Sequence, residues 1–375
     1  MCGWRNSAVA IATALFCLPF SPLAVPTAST QTVDDRRPPE SAVPSPAENQ
    51  PPTDASTELL TGADLTRRGL LQEAIPHLLA AQRLNVGSFA ASFDLGICYI
   101  GTRNFKEAIA VLAPLQASPA HTPAVDNLLA QAYLGNGQAQ AALSAFAEAA
   151  AASPKDETLY AYMADACTDH QDYALGLEIA ARGLQQLPDS ARLHYEHAVF
   201  LARLGRFEEG KPEFDQAAQL APDSYIGYLA QVQKDLYEDD LSRATEVLHR
   251  AIQAGHRDYQ MLSLLGTVLL HEGAAPGQPE FAEAQAALEE SARLRPDYSA
   301  TQIGLGKVCL MQGRFQDAVQ HLEIGRTLEP NNPAVYSNLA NAYQQLGERE
   351  KARQMREQTG RLLAEKKSAA NQPRP

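Results

Sequence analysis

The chain has 375 residues, 45% of them hydrophobic, 7% aromatic and 20% charged, with a formal net charge of −13. Heavy use of alanine with few aromatics suits closely packed helices better than sheets, so an all-α fold is expected. The acidic balance and the lack of any basic stripe exclude a nucleic-acid binder, because that affinity comes from clustered Lys and Arg displacing counterions.

Residues 1–28 read as a secretory signal peptide or N-terminal anchor. A single positive charge at Arg5 precedes an apolar run from Ala8 to Leu18, and Pro19 breaks it. The run is too short for a stable bilayer span, so membrane contact is expected only through this segment where it is retained. Ala24 and Ala28 are small enough to precede a cut, although Pro22 and Pro26 stand two residues before each. Phe16 before Cys17 departs from the small residue of a bacterial lipobox, so lipidation is not expected. The expected location is extracytoplasmic: periplasmic, secreted or envelope-associated.

Residues 29–54 carry Pro38, Pro39, Pro44, Pro46, Pro51 and Pro52 among Ser, Thr, Glu and Gln. Such a stretch buries too little apolar surface to offset its ordering entropy and reads as a disordered tether.

From Ala55 onward one spacing recurs. A small residue, an apolar or aromatic one three later and an Ala or Gly nine after that appear as Gly62/Leu65/Ala74, Gly96/Tyr99/Ala108, Ala130/Tyr133/Ala142, Ala164/Cys167/Gly176 and Ala198/Leu201/Gly210, each step being 34 residues. The register yields nine units: 55–88, 89–122, 123–156, 157–190, 191–224, 225–258, 259–298, 299–332 and 333–367, with a disordered tail at 368–375. Small residues let two helices approach closely, and larger ones fill the rim. Pro154, Pro188, Pro222, Pro296 and Pro330 end second helices, and Asp156, Ser190, Ser224 and Asn332 are placed to cap the next. Each unit is therefore a helical hairpin that buries its apolar face against its neighbours.

Two units depart from the pattern. The seventh is six residues longer, its turn stretched over 273–280 as a surface insertion. In the last, Arg349, Arg353, Arg356 and Glu357 replace apolar residues, as in a solvent-facing cap. Cys98, Cys167 and Cys309 fall in or beside core slots, too far apart and odd in number for a disulfide framework.

The third unit, with Leu129, Ala130, Tyr133, Gly137, Ala142, Phe146, Ala149 and Pro154, resembles the tetratricopeptide repeat. The fifth and eighth are similar, and the resemblance covers residues 55 to 367. It implies a right-handed superhelical solenoid of antiparallel helix pairs, with the first helix of each pair lining a concave groove. Carried over unit by unit, a protein-binding groove would comprise Phe93, Ile97, Asn127, Gln131, Asp165, Tyr195, Val199, Leu229, Gln233, Leu236, Ile303, Lys307 and Asn341. This lining is apolar and neutral-polar, which suits a peptide anchored by a few apolar side chains. The family's terminal-carboxylate clamp is absent, since Ile303 stands where a Lys would precede Lys307 by one turn. The Asn ladder of glycosyltransferase superhelices is missing too, its slots holding Asp94, Leu128, Tyr162, Glu196 and Ala230.

No catalytic constellation is expected. His194-Tyr195-Glu196-His197 offers two imidazoles and a carboxylate, but at the wrong spacing for the zinc-protease pattern and without a third ligand. No Gly-x-Ser-x-Gly occurs, and Gly135-Asn136-Gly137 is a hairpin turn, not a phosphate loop. No cofactor or metal is implied. The expected function is a non-catalytic scaffold or adaptor holding a protein or peptide outside the cytoplasm; the alternative is an accessory or regulatory subunit of an envelope polysaccharide or peptidoglycan enzyme complex.

Overall fold

The computed structural model describes residues 54–85 and 87–371, with side chains to 365. The signal-like segment 1–28, nearly all of the tether 29–54 and the last four residues lie outside the described residues. Among the described residues every regular element is helical.

The chain divides into two compact units at Leu187/Pro188. In the first, α1 (Ala55–Arg67) pairs with α2 (Leu71–Leu84) and α3 (Phe89–Gly101) with α4 (Phe105–Leu112), which a 3₁₀ turn at Ala113–Ala117 extends. Then α5 (Pro123–Gly135) pairs with α6 (Ala139–Ala152), and α7 (Glu157–Asp169) with α8 (Tyr173–Gln186). The second unit holds the pairs α9 (Ala191–Arg203) with α10 (Phe207–Leu220), α11 (Tyr225–Tyr237) with α12 (Leu241–Gln253), and α13 (Tyr259–Glu272) with α14 (Pro279–Leu294). It ends with α15 (Ser299–Met311) and α16 (Phe315–Leu328), then α17 (Pro333–Gln345) and α18 (Arg349–Asn371). Within each unit the second helix of one pair packs on the first helix of the next, and first helices of neighbouring pairs also touch: α1 with α3, α3 with α5 and α5 with α7, then α9 with α11, α13 with α15 and α15 with α17. Each unit is a solenoid of antiparallel helix pairs.

The starts of the first helices follow from capping chemistry. Asp156, Ser190, Ser224 and Asn332 accept from the backbone N–H of Thr158, Leu193, Gly227 and Ala334, and Asp54, Ser88 and Asp258 cap α1, α3 and α13 in the same way. The turn inside each hairpin needs one left-handed residue. Glycine supplies it at Gly69, Gly137, Gly205, Gly273, Gly313 and Gly347, but Arg103, Gln171 and Asp239 take it with φ of 61°, 57° and 61°.

The recurring small slot is where a large side chain from the second helix settles. A Cβ built on Gly96 would lie 2.4 Å from Leu112, and one on Gly306 would lie 2.5 Å from Leu322. Leu112 and Leu322 are fully buried there, and burying such a side chain contributes about 1.5–3 kcal/mol. A second device fixes the junction between pairs. At the fourth position of the first helix, Tyr160, Gln302 and Tyr336 donate to the carbonyls of Pro154, Pro296 and Pro330 at 3.0, 2.7 and 2.7 Å, and His194 Nε2 lies 2.8 Å from that of Pro188.

Three expectations need adjustment or detail. The stretched turn of the seventh unit spans 273–278 instead of 273–280, because Pro279 and Glu280 already belong to α14, where a proline at the first helical position loses no hydrogen bond. The turn is ordered by Gln278, whose Oε1 accepts from Ala275 N at 2.8 Å. The last helix runs on to Asn371, four residues into the segment read as tail; it buries Ala352 and Leu362 and leaves Arg349, Arg353 and Arg356 exposed. Cys98, Cys167 and Cys309 are buried and form no disulfide, as their slots implied.

Candidate binding groove

Residues spaced three and four apart on a helix share a face, so each first helix offers one stripe along the row that the first helices of its own unit form. The thirteen expected groove residues lie on these helices, but their burial differs sharply. In the first unit Phe93 and Ile97 on α3 are half-buried, with Phe93 stacked on Phe89 at 6.0 Å between ring centroids. Asn127 is buried, and its Nδ2 donates to Leu159 O of α7 at 2.8 Å. Its amide therefore ties two neighbouring first helices together. Gln131 Nε2 in turn donates to Asn127 Oδ1 at 2.7 Å. Asp165 on α7 is buried as well.

In the second unit Tyr195, Val199, Leu229, Gln233 and Leu236 are all buried. Tyr195 meets Phe214 of α10 edge-on, with centroids 6.1 Å apart. Further along, Ile303 and Lys307 on α15 are half-buried and Asn341 on α17 is exposed. The open positions are thus Phe93, Ile97 and Gln131 in the first unit and, separately, Ile303, Lys307 and Asn341 in the second.

The electrostatics follow from burial. Glu196, beside Tyr195, is pushed upward in pKa by desolvation and held down by Arg192, whose Nε lies 2.8 Å from its Oε1. Burial lowers the pKa of Lys307. His271, at the end of α13, presents an exposed edge, yet burial and then Lys307 bring its pKa down to about 4, so its imidazole is neutral near pH 7. The sequence reading missed His271. Its signal was spacing, since Ser263, Thr267 and His271 follow each other at four-residue steps on one face of α13.

The His194–His197 cluster has a structural role in the fold. His194 Nδ1 lies 2.5 Å from Glu213 Oε2 and His197 Nδ1 lies 3.5 Å from Glu213 Oε1, linking α9 to α10. Glu213 is held below its usual range by both, His197 first. The same cross-hairpin link, nineteen residues apart, joins Glu58 to His77 at 2.7 Å and Gln302 to His321 at 2.8 Å. Among the described residues no group of three or more His, Cys, Asp and Glu is arranged to hold a metal ion, and no helix is long and apolar enough to cross a membrane.

Stacked hairpins with a row of first helices define the class of α-helical repeat proteins. Three family models, each described as Tetratricopeptide repeat, match residues 65–132 and 310–361, residues 277–333 and residues 191–224. The chain is a tandem tetratricopeptide-repeat protein. Among solved structures it is similar to yeast Tom70, with 16% identity and a TM-score of 0.57, over 80% of this chain and 66% of that one. It is also similar to a chain of the APC/C hetero-tetramer Cut9-Hcn1, with 16% identity and a TM-score of 0.52, over 82% of this chain and 60% of that one. The match spans less than two thirds of either neighbour's length, and at this identity the likeness is one of fold. No curated protein matches the chain at a significant level.

Proposed function

We propose that the chain is an interaction scaffold that holds a protein or peptide along the row of its first helices, outside the cytoplasm. The observation that carries this reading is the open stretch at Ile303, Lys307 and Asn341, where apolar, cationic and amide side chains share one face across neighbouring hairpins. Three chemistries on one rigid face suit an extended or helical segment with a few anchors. The hetero-tetrameric neighbour is an instance of this fold used in protein assembly. The extracytoplasmic location is supported by Arg5 and the apolar run from Ala8 to Leu18.

Photo-crosslinking tests the groove. A photoreactive residue at Asn341 should trap a discrete partner from an envelope fraction, and one at the exposed Leu328 of α16 should trap none. Equal capture at both positions, or capture at neither, removes the groove from the reading. Mass determination of the mature N-terminus tests the location; an intact Met1 on a protein recovered from the cytosolic fraction would overturn it.

A further inference from the structure

Lys307 lacks the acidic partner that the other part-buried helical lysines have. Lys211 and Lys234 are part-buried and meet Glu238 and Asp215 at 2.7 and 2.6 Å, and even the exposed Lys351 meets Glu348 at 2.5 Å. Lys106 on α4 and Lys155 in the turn before α7 are exposed, where water solvates the ammonium. Lys307 is half-buried, and its one hydrogen bond is a long 3.4 Å contact to Leu270 O near the end of α13. Among the described residues no carboxylate stands within ion-pairing distance of it, and burial lowers its pKa. In a chain of net charge −13, a part-buried cation without an acid is an unfilled electrostatic position.

Its surroundings define what fits. The imidazole of His271 is neutral near pH 7, so it adds no second positive charge beside Lys307 and can hydrogen-bond. Ile303 and Leu310 stand one turn before and one turn after Lys307 on α15; both pack against the core that α15 shares with α16 and α17, and each leaves an edge open.

We propose that the groove between α13 and α15 receives a peptide whose Asp or Glu side chain pairs with Lys307, while apolar neighbours in the same peptide lie on Ile303 and Leu310. This rests on the groove reading above and specifies its partner. A side-chain carboxylate fits better than a chain terminus, because α17 with the exposed Asn341 carries the row beyond Lys307. A lone ammonium also suits a monoanion; phosphate recognition draws on clustered Arg.

The test uses the full chain and a randomised peptide library displayed with its C-terminus fused to a carrier, so that no free terminal carboxylate is present. Peptides selected on the wild type should be enriched in Asp or Glu at one position between apolar residues, and exchanging that acid for its amide should weaken binding about tenfold. Lys307→Met should erase the acid preference while its helicity and melting match the wild type. Three results overturn the proposal: selected peptides without acidic enrichment, a preference that survives Lys307→Met, or enrichment that appears only in a second library with free C-termini. The groove reading fails separately, and takes the proposal with it, if no peptide is selected or if selection is unchanged by Asn341→Arg together with Ile303→Arg.

Discussion

The fourth position of the first helix carries more of the junction than its sequence suggests. Tyr160 and Tyr336 each reach back six residues to a proline carbonyl that no backbone N–H satisfies nearby. A buried hydrogen bond of this kind contributes about 1 kcal/mol. Tyr336→Phe keeps the ring and removes the donor, so it should lower the unfolding free energy by about that amount in urea; an unchanged midpoint would mean water replaces the phenol at no cost. Asp235 gives a pH signature. Burial raises its carboxyl to about 6, with Asp240 and Glu238 adding to the rise and Arg243 and Lys234 opposing it. A carboxyl raised in this way holds its proton more tightly in the folded chain. Its contribution to stability is full below about pH 4 and is lost as pH climbs through about 6. Asp235→Asn should therefore be less sensitive to pH across that window, and denaturant midpoints measured at both ends check this. Parallel pH profiles for variant and wild type would contradict it.

At the scale of elements, glycine or alanine at the crossing decides how close the two helices of a hairpin lie. Gly306 meets Leu322 with no room for a Cβ, so Gly306→Val should cost about 1–3 kcal/mol through overpacking. Calorimetry reads the loss, and a companion Leu322→Ala should recover part of it; no recovery would place the strain elsewhere. Much of this architecture was legible in the sequence. Asp156, Ser190, Ser224 and Asn332 announce helix starts because a short polar side chain before an apolar repeat has one obvious use. The state of the groove was less legible. Periodicity says which face a residue shares, but whether Tyr195 or Leu229 is buried depends on contacts such as the edge-on meeting of Tyr195 with Phe214. Asn127 reads as a groove amide by register, and only the structure spends its donor on Leu159 O of the neighbouring first helix. The division at Leu187/Pro188 left no mark in the pattern, since the small slots run through Ala164 and Ala198 without a break.

Within each unit of the molecule, a stack of hairpins is stabilised by nearest neighbours, so the helices with only one neighbouring pair are the weakest. Leu60 on α1 is 70% exposed and Leu363 on α18 is 53% exposed, whereas α11 and α13, inside the second unit, bury most of their apolar face. Hydrogen exchange should be fastest in α1 and in the second half of α18 and slowest in α11 and α13. Uniform protection from end to end would show a single cooperative block in place of a stack.

Folding hides the thiols of Cys98, Cys167 and Cys309. If the chain folds in an oxidising compartment, as proposed, its unfolded form would offer them to glutathione or to each other. Assembly there would be a race in which hairpin stacking has to shelter each sulfur before an oxidant finds it, and a slow-folding variant would betray itself by mixed disulfides before any loss of binding.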